Sequence, residues 1–263
     1  MTENSVLVER TGAVATITMN RAERRNALTA EMKVELLGAV STVAKDPQVR
    51  AVVLTGAGPA FSVGQDLAEH ATALEQGATA AFETVREHYS PLVLELMTMP
   101  KPVVAAVSGA CVGAGLGLAL ACDVRVFGSD TKMATAFSAI GLTFDSGLSF
   151  TLPRVIGDAR ARRLMLLGSS FGVSDAVSWG IDGEVVEPAE VIPTAQRLAR
   201  QLAEGPTFAF GHTKQLLHAS QELSLADALE AEAWAQTRCG ATADHSLAVS
   251  AFLARHQPLF TGA

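Results

Sequence analysis

Val103-Val104-Ala105-Ala106-Val107-Ser108-Gly109-Ala110-Cys111-Val112-Gly113-Ala114-Gly115-Leu116-Gly117-Leu118-Ala119-Leu120-Ala121-Cys122 is the stretch on which the fold turns. With Pro102 in front, it runs for 21 residues without a charge, long enough to cross a bilayer as a helix. The leading proline and the glycines at 109, 113, 115 and 117 argue against that. Val103 to Val107 reads instead as a short strand buried on both faces, and the glycines read as a turn into a small-residue helix. Val124 to Phe127 reads as the next strand. Strand, turn, helix and strand in that order predict a layered α/β fold rather than a membrane span.

The same alternation extends outward. Upstream, Ala15, Ile17 and Met19 alternate with Thr16 and Thr18, a strand with one buried face. Asn20 to Asn26 reads as a polar loop. Thr29 stands where it can cap a helix whose Met32, Leu36, Val40 and Val43 share one side. Ala51 to Thr55 is apolar on both faces, as in a covered parallel sheet. A later helix presents Phe82, Val85, Tyr89, Leu92 and Leu96. Downstream of Asp158 the pattern is mostly helical. Asp158 and Ser174 read as caps, and Gly168, Gly180, Gly205 and Gly240 read as left-handed stops. The last helix runs toward Pro258. One α/β core with a helical C-terminal region is expected, the latter available for subunit contacts.

Composition agrees. The chain has 263 residues, 49% apolar and 18% charged, with mean hydropathy +0.27, which calls for a large buried core. Eleven Phe, two Trp and one Tyr mean that Ala, Val, Leu and Ile build it. A net charge of −7 without a basic run argues against nucleic acid. Cys111, Cys122 and Cys239 are too few and too irregular for a disulfide framework, which fits a reducing cytoplasm. Met1 to Arg10 has charges and no apolar core, so it does not read as a leader. There is no GxGxxG (Leu118 and Phe61 stand at the third glycine), no GxxxxGK[ST] and no GxSxG. The six histidines form no HxxxH pair, and no metal site is expected. His70 and His88 flank the segment after the first glycine loop.

Two glycine-rich turns leave strands: Gly56 to Leu67, and Val107 to Gly117. Their glycines have two readings. They permit tight turns and close helix packing, or they let main-chain N–H groups approach a ligand oxygen. The second turn leads into a helix whose first N–H groups attract negative charge. Two such donors suit a thioester enolate.

The chain resembles the enoyl-CoA hydratase/isomerase (crotonase) superfamily from about Val6 to Gly262. The resemblance rests on Asn20-Arg21…Asn26-Ala27-Leu28, Phe61-Ser62-x-Gly64-x-Asp66-Leu67, Lys101-Pro102-Val103, Cys122-Asp123 and Phe252-Leu253…Pro258-x-Phe260. It implies a spiral of ββα units over residues 1–200 and a helical trimerisation region over 201–263, in trimers that often pair as hexamers. It implies an acyl-CoA thioester substrate, with the backbone N–H groups of Gln65 and Ala114 as oxyanion hole. The CoA arm would lie near Ala27, Leu28 and residues 65 to 68, namely Gln65, Asp66, Leu67 and Ala68. No separate cofactor and no metal is implied, because CoA arrives with the substrate.

Family hydratases use two glutamates. Here the matching positions hold Gly117 and Phe137. Asp145, in Gly141-Leu142-Thr143-Phe144-Asp145-Ser146-Gly147, is the remaining carboxylate near those positions. Its place before a helix also fits a simple N-cap. Within the family the chain is similar to the ring-1,2-epoxyphenylacetyl-CoA isomerases, through Ala136-Phe137-Ser138, Gly141-Leu142, Asp145, Leu152-Pro153-Arg154 and Trp179-Gly180. In that subgroup the matching aspartate is the acid/base. Phe144 stands where proline is usual, and Leu148 where glycine is common. The resulting expectation is an isomerase that moves a double bond or rearranges an epoxide through an enolate. Phe137, Ile140, Leu142 and Phe144 would desolvate Asp145 and raise its pKa from about 4 toward neutrality. The alternatives are hydration by Asp145 and a bound water, nucleophilic attack by Asp145, and a non-catalytic acyl-CoA-binding protein.

Overall fold

Alternating burial along the central strands shows how the layers form. Val52 and Leu54 point into one apolar cluster while Ala51 and Val53 point into another, and Val103, Ala105 and Val107 divide from Val104 and Ala106 in the same way. A strand with period-two side chains and both faces apolar must be covered on both sides. The computed structural model describes residues 4–263, so the first three residues of the stretch read as lacking a leader lie outside it.

Among the described residues ten strands form two sheets: β1 (Val6–Thr11), β2 (Val14–Met19), β3 (Ala51–Gly56), β4 (Ala60–Ser62), β5 (Val103–Val107), β6 (Ala110–Val112), β7 (Val124–Gly128), β8 (Lys132–Ala134), β9 (Phe171–Gly172) and β10 (Glu184–Val186). The large sheet has the order β1-β2-β3-β5-β7-β10 and the small one β4-β6-β8-β9. The β1–β2 and β8–β9 pairs are antiparallel and the other strand pairs among the described residues are parallel. Thus β3–β4, β5–β6 and β7–β8 each step from the large sheet to the small one before helical chain follows. This is the expected spiral of strand–strand–helix units, and it stacks the three strand-to-strand turns side by side.

The helices are α1 (Ala30–Lys45), α2 (Leu67–Leu74), α3 (Ala78–Thr84), α4 (Ser90–Thr98), α5 (Ala114–Ala121), α6 (Leu148–Ile156), α7 (Asp158–Leu167), α8 (Val173–Trp179), α9 (Val191–Ala203), α10 (Thr207–Ala219), α11 (Leu225–Gly240) and α12 (Ala243–Leu253). Thr29 caps α1 as expected, its hydroxyl accepting from the Met32 N–H at 3.2 Å. Met32, Leu36, Val40 and Val43 are buried, each contributing about 1.5–3 kcal/mol by leaving water. Lys101 closes the other end of α1, donating to the carbonyls of Val43 (2.6 Å) and Asp46 (2.5 Å). Val191, Ala195, Ala199 and Ala203 of α9 cover the second face of the large sheet. A division at 200/201 therefore falls inside α9, and the chain turns from sheet-covering helix to α10–α12 at Glu204–Pro206.

Several local expectations need correction. The polar loop 20–26 contains a 3₁₀ turn, Ala22–Arg24. The helix carrying Phe82 to Leu96 is α3 and α4 joined by a π-turn at Val85–Tyr89, where the Ser90 N–H bonds the Val85 carbonyl. Asp158 is the first residue inside α7, paired with Arg162 at 2.6 Å, and Gly157 holds the cap position. Ser174 is likewise inside α8, after Gly172. Gly168 and Gly180 are left-handed stops, but Gly205 and Gly240 are not; α11 runs through Gly240. The last helix stops at Leu253, with Arg255 at φ 57, before it reaches Pro258. Among the described residues no helix is long and apolar enough to cross a membrane.

Candidate active site

The turns after β3 and β5 meet at one point. Asn26 is wholly buried and ties the β2–α1 loop to the first of them, its Nδ2 donating to the carbonyls of Ala57 (2.9 Å) and Ala60 (2.7 Å). The Leu28 N–H bonds the Gly64 carbonyl (2.8 Å) and the Asp66 N–H bonds the Leu28 carbonyl (3.1 Å), a one-rung parallel bridge. In a parallel ladder the residue between the two bonded neighbours turns its own N–H to the opposite edge. The Gln65 N–H is therefore directed away from Leu28. Among the described residues it has no acceptor.

Ala114 is the first residue of α5, and its N–H has no acceptor either. Gly113 precedes it at φ 56 and Gly64 sits opposite at φ 81. A Cβ on Gly64 would lie 3.2 Å from the Ala114 nitrogen, so only glycine lets the two turns pack with this amide open. The positive end of the buried α5 reinforces the pair.

These amides open on a cavity of about 490 Å³. Ala27, Gln65, Asp66, Leu67, Ala114, Phe137 and Asp145 all line it. Leu28 and Ala68 do not. Leu28 is fully buried in the main core and touches the site only through its backbone. Ala68 is exposed in the first turn of α2, its N–H bonded to the Asp66 carboxylate. His70 lines the cavity, edge-on to Phe82 with ring centres 5.1 Å apart. His88 is held by Thr84 at 3.0 Å.

Two carboxylates face the cavity, and their environments differ. Asp66 caps α2 through the Ala68 and Glu69 N–H groups and pairs with Arg21 at 3.1 Å. Burial alone would raise its pKa, but the Glu69 N–H and the Arg21 guanidinium hold it below its ordinary value. Asp145 caps nothing: Gly147 occupies the cap position of α6 without a side-chain bond. Its partner is the Ser146 hydroxyl at 2.7 Å. Burial raises the Asp145 pKa, with the Ser146 hydroxyl and the Lys33 charge opposing only in part. Phe137, Ile140 and Leu142 line the same cavity as Asp145, with Phe144 packed edge-on against Phe137 at 6.1 Å. Ala136 (φ 61) and Ser146 (φ 50) hold left-handed backbone on either side of that wall, a strain of order 1–3 kcal/mol each that concentrates at working sites.

Neither position of the two family glutamates holds an acid. A Cβ on Gly117 would collide with the carbonyl oxygen and Cβ of Ser146. Phe137 is apolar and 7% exposed.

Behind Gln65, Thr84 and Tyr89, which line the same cavity, lies a group with no evident role in the sequence alone. Lys33 is 2% exposed, and its ammonium donates to the Gln65 side-chain oxygen at 3.0 Å and to Thr84 Oγ1 at 2.5 Å. The Tyr89 hydroxyl donates to the same Gln65 oxygen at 2.6 Å. The available signal was Lys33 itself, three residues before Leu36 and seven before Val40, on the buried stripe of α1.

A two-sheet spiral with open amides from two turns beside a desolvated carboxylate defines a class of acyl-thioester enzyme. The chain belongs to the enoyl-CoA hydratase/isomerase (crotonase) family, whose sequence model, described as enoyl-CoA hydratase/isomerase, matches residues 9–263. It is 41% identical over 249 residues to the 1,2-epoxyphenylacetyl-CoA isomerase of Escherichia coli strain K12, covering 95% of each chain. It is 38% identical over 263 residues, the whole of both chains, to a Rhodobacter capsulatus protein bearing the name of an enoyl-CoA hydratase. A crystal structure from Mycobacterium abscessus, described as an enoyl-CoA hydratase/isomerase, matches with TM-score 0.94 at 48% identity, over 98% of this chain and 100% of that one. The relatives bear isomerase and hydratase names alike, so the reaction has to be argued from the site.

Proposed function

We propose that this chain is an acyl-CoA isomerase that moves a double bond, or rearranges an epoxide, in an enoyl- or phenylacetyl-derived CoA thioester. The observation that carries this reading is Asp145: its carboxyl is desolvated and held by the Ser146 hydroxyl alone, whereas Asp66 is tied to its cap and to Arg21, and Gly117 and Phe137 offer no second acid. The thioester oxygen docks between the Gln65 and Ala114 N–H groups. Asp145, as carboxylate, takes a proton from the α- or γ-carbon, and the electron pair passes into the thioester as an enolate. Asp145, now a carboxylic acid, returns the proton at the other end of the conjugated system, and the carboxylate is restored. One group serves as base and then acid, and no water is consumed. The raised pKa of Asp145 brings it nearer to that of a working acid/base at neutral pH.

The CoA portion follows Ala27, the Leu28 backbone and residues 65 to 68, with Arg24 also on the cavity lining. CoA belongs to the substrate, and the scheme needs no further cofactor. We also propose that residues 201–263 serve assembly into a homotrimer, or a hexamer of two trimers, in the cytoplasm. Trp234 (56%), Phe252 (81%), Leu253 (76%) and Leu259 (87%) leave apolar surface uncovered there. Light scattering on the purified chain would report three or six copies.

The reaction is tested with a panel of enoyl-, dienoyl- and phenylacetyl-derived CoA thioesters in D₂O, with products identified by mass and NMR. Double-bond migration or epoxide rearrangement, with deuterium at the α- or γ-carbon, is expected. A protein that only binds acyl-CoA would wash in no deuterium.

A further inference from the structure

The buried ammonium of Lys33 calls for an account. Long charged side chains are seldom fully buried without a partner, and desolvation of an ammonium is costly. No carboxylate lies within ion-pair distance of it among the described residues. Its partners are neutral oxygens: Gln65 Oε1 and Thr84 Oγ1. The Tyr89 ring lies 5.0 Å from Nζ, and its hydroxyl meets the same Gln65 oxygen. The π-turn at Val85–Tyr89 assists this arrangement. An i→i+5 turn brings residues five apart toward one face, and Thr84 and Tyr89 are five apart. In an uninterrupted α-helix they would diverge, and one would leave the cluster.

We propose that Lys33 is a positioning residue for the oxyanion hole: its ammonium and the Tyr89 hydroxyl together lock the Gln65 carboxamide and so fix the direction of the Gln65 backbone N–H. This rests on the reading of the Gln65 and Ala114 amides as that hole. The backbone bridge to Leu28 sets the edge to which the N–H turns, and the side-chain clamp removes the remaining freedom about Gln65. The charge has a second consequence. A fixed cation behind Gln65, Thr84 and Tyr89 favours an anion in the cavity that they line, whether the enolate or the Asp145 carboxylate. Through-space attraction between Lys33 and Asp145 is felt by both groups. The other groups facing Lys33 are Glu69 on α2, which attracts it, and His88 on the π-turn, whose pKa it helps to lower after burial. Burial holds the Tyr89 phenol well above its ordinary value, so Tyr89 stays a donor.

Two variants separate this role from simple packing. Lys33→Met removes the charge and both donated bonds, while Tyr89→Phe removes one bond to Gln65 and keeps the charge. Circular dichroism establishes which of them fold. The first readout is the titration of the Asp145 carboxyl by NMR in aspartate-labelled protein, its resonance marked by loss in Asp145→Asn. The second is the infrared band of butyryl-CoA labelled with ¹³C at the thioester carbonyl, a saturated ligand with no double bond to move or hydrate. Lys33→Met is expected to raise the pH at which Asp145 titrates and to lessen the downshift of the bound carbonyl band. Tyr89→Phe is expected to lessen the band shift and leave the titration in place. An undiminished band shift in either folded variant overturns the proposal. If Lys33→Met does not fold, Tyr89→Phe decides alone. A wild-type protein that binds butyryl-CoA without any band shift would point to failure of the oxyanion-hole reading itself, a result that the titration, needing no ligand, does not share.

Discussion

Gly117 lies against Ser146 so closely that a Cβ on the glycine would overlap the serine's carbonyl oxygen and Cβ. This contact seats the loop before α6 on α5, and Asp145 is the preceding residue. The absence of a side chain at 117 is thus the condition for Asp145 to stand where it does. Gly117→Ala is expected to push that loop outward, costing about 1–3 kcal/mol as overpacking does and lowering turnover far more than substrate affinity. Thermal melts with kcat and KM would check it. An unchanged kcat would detach Asp145 from this contact.

Asp145→Asn should lower turnover by at least about 10²-fold, as loss of an acid/base group does, with acyl-CoA affinity nearly kept. The same substitution should not destabilise the fold. Because burial raises the Asp145 pKa above its unfolded value, its contribution is favourable below the unfolded value and is lost as pH rises through the folded one. At about pH 8 the asparagine variant is therefore expected to melt at or above the wild-type temperature, the difference shrinking toward about pH 4. A melt well below wild type at the higher pH, with activity retained, would make Asp145 structural.

Acid should switch the enzyme off above the ordinary carboxylate range. Asp145 must be ionised to accept the first proton, so kcat/KM is expected to fall with unit slope as pH drops through its raised pKa. Asp66 is held low by its cap and Arg21 and should not contribute to that limb. A profile flat down to about pH 4 would show that a normal carboxylate, or none, governs the reaction.

Ala114→Pro deletes the N–H of the first α5 residue, a helix position where proline is well tolerated. The fold should survive, and about 3–4 kcal/mol of transition-state stabilisation should be lost. Ala114→Gly keeps the donor and should keep most of the rate. Gly64→Ala should resemble the proline variant, because its Cβ would stand 3.2 Å from the same nitrogen. Equal rates in folded proline and glycine variants would remove Ala114 from the hole.

Much of this architecture is legible from the chain. The large-sheet strands β2, β3, β5 and β7 are long enough for periodicity to show, and Thr29 caps α1 as its position suggests. The small sheet is not legible, because β4, β6, β8 and β9 have two or three residues each and lie inside turns rich in glycine and small residues. The π-turn escapes for a similar reason: Phe82, Val85, Tyr89, Leu92 and Leu96 fit an α-helical stripe, and a one-residue change of phase hardly disturbs it. Gln65, Ala114, Phe137 and Asp145 stand out by resemblance, and the structure brings them to one cavity. Lys33 does not, since a lysine on an apolar stripe ordinarily carries its charged end out to solvent. Only the three-dimensional contact with Gln65, Thr84 and Tyr89 gives it a part.

Isomerisation is expected to outrun hydration. Adding water to a 2-enoyl-CoA requires a base to activate water at the β-carbon and an acid to protonate the α-carbon. Here the two positions available for that division of work are Gly117, closed by Ser146, and Phe137, whose ring forms an edge-on pair with Phe144. Both cannot be supplied by Asp145 at once. Shuttling a proton between carbons asks for one carboxylate and consumes no water, and Asp145 supplies that carboxylate. Migration of the double bond in a 3-enoyl-CoA should therefore run at least about tenfold faster than hydration of crotonyl-CoA, a difference of about 1.4 kcal/mol in barrier. Parallel assays in H₂¹⁸O give the ratio directly. Rapid stoichiometric entry of label at the β-carbon, with little migration, would assign the site to hydration by Asp145 and a bound water.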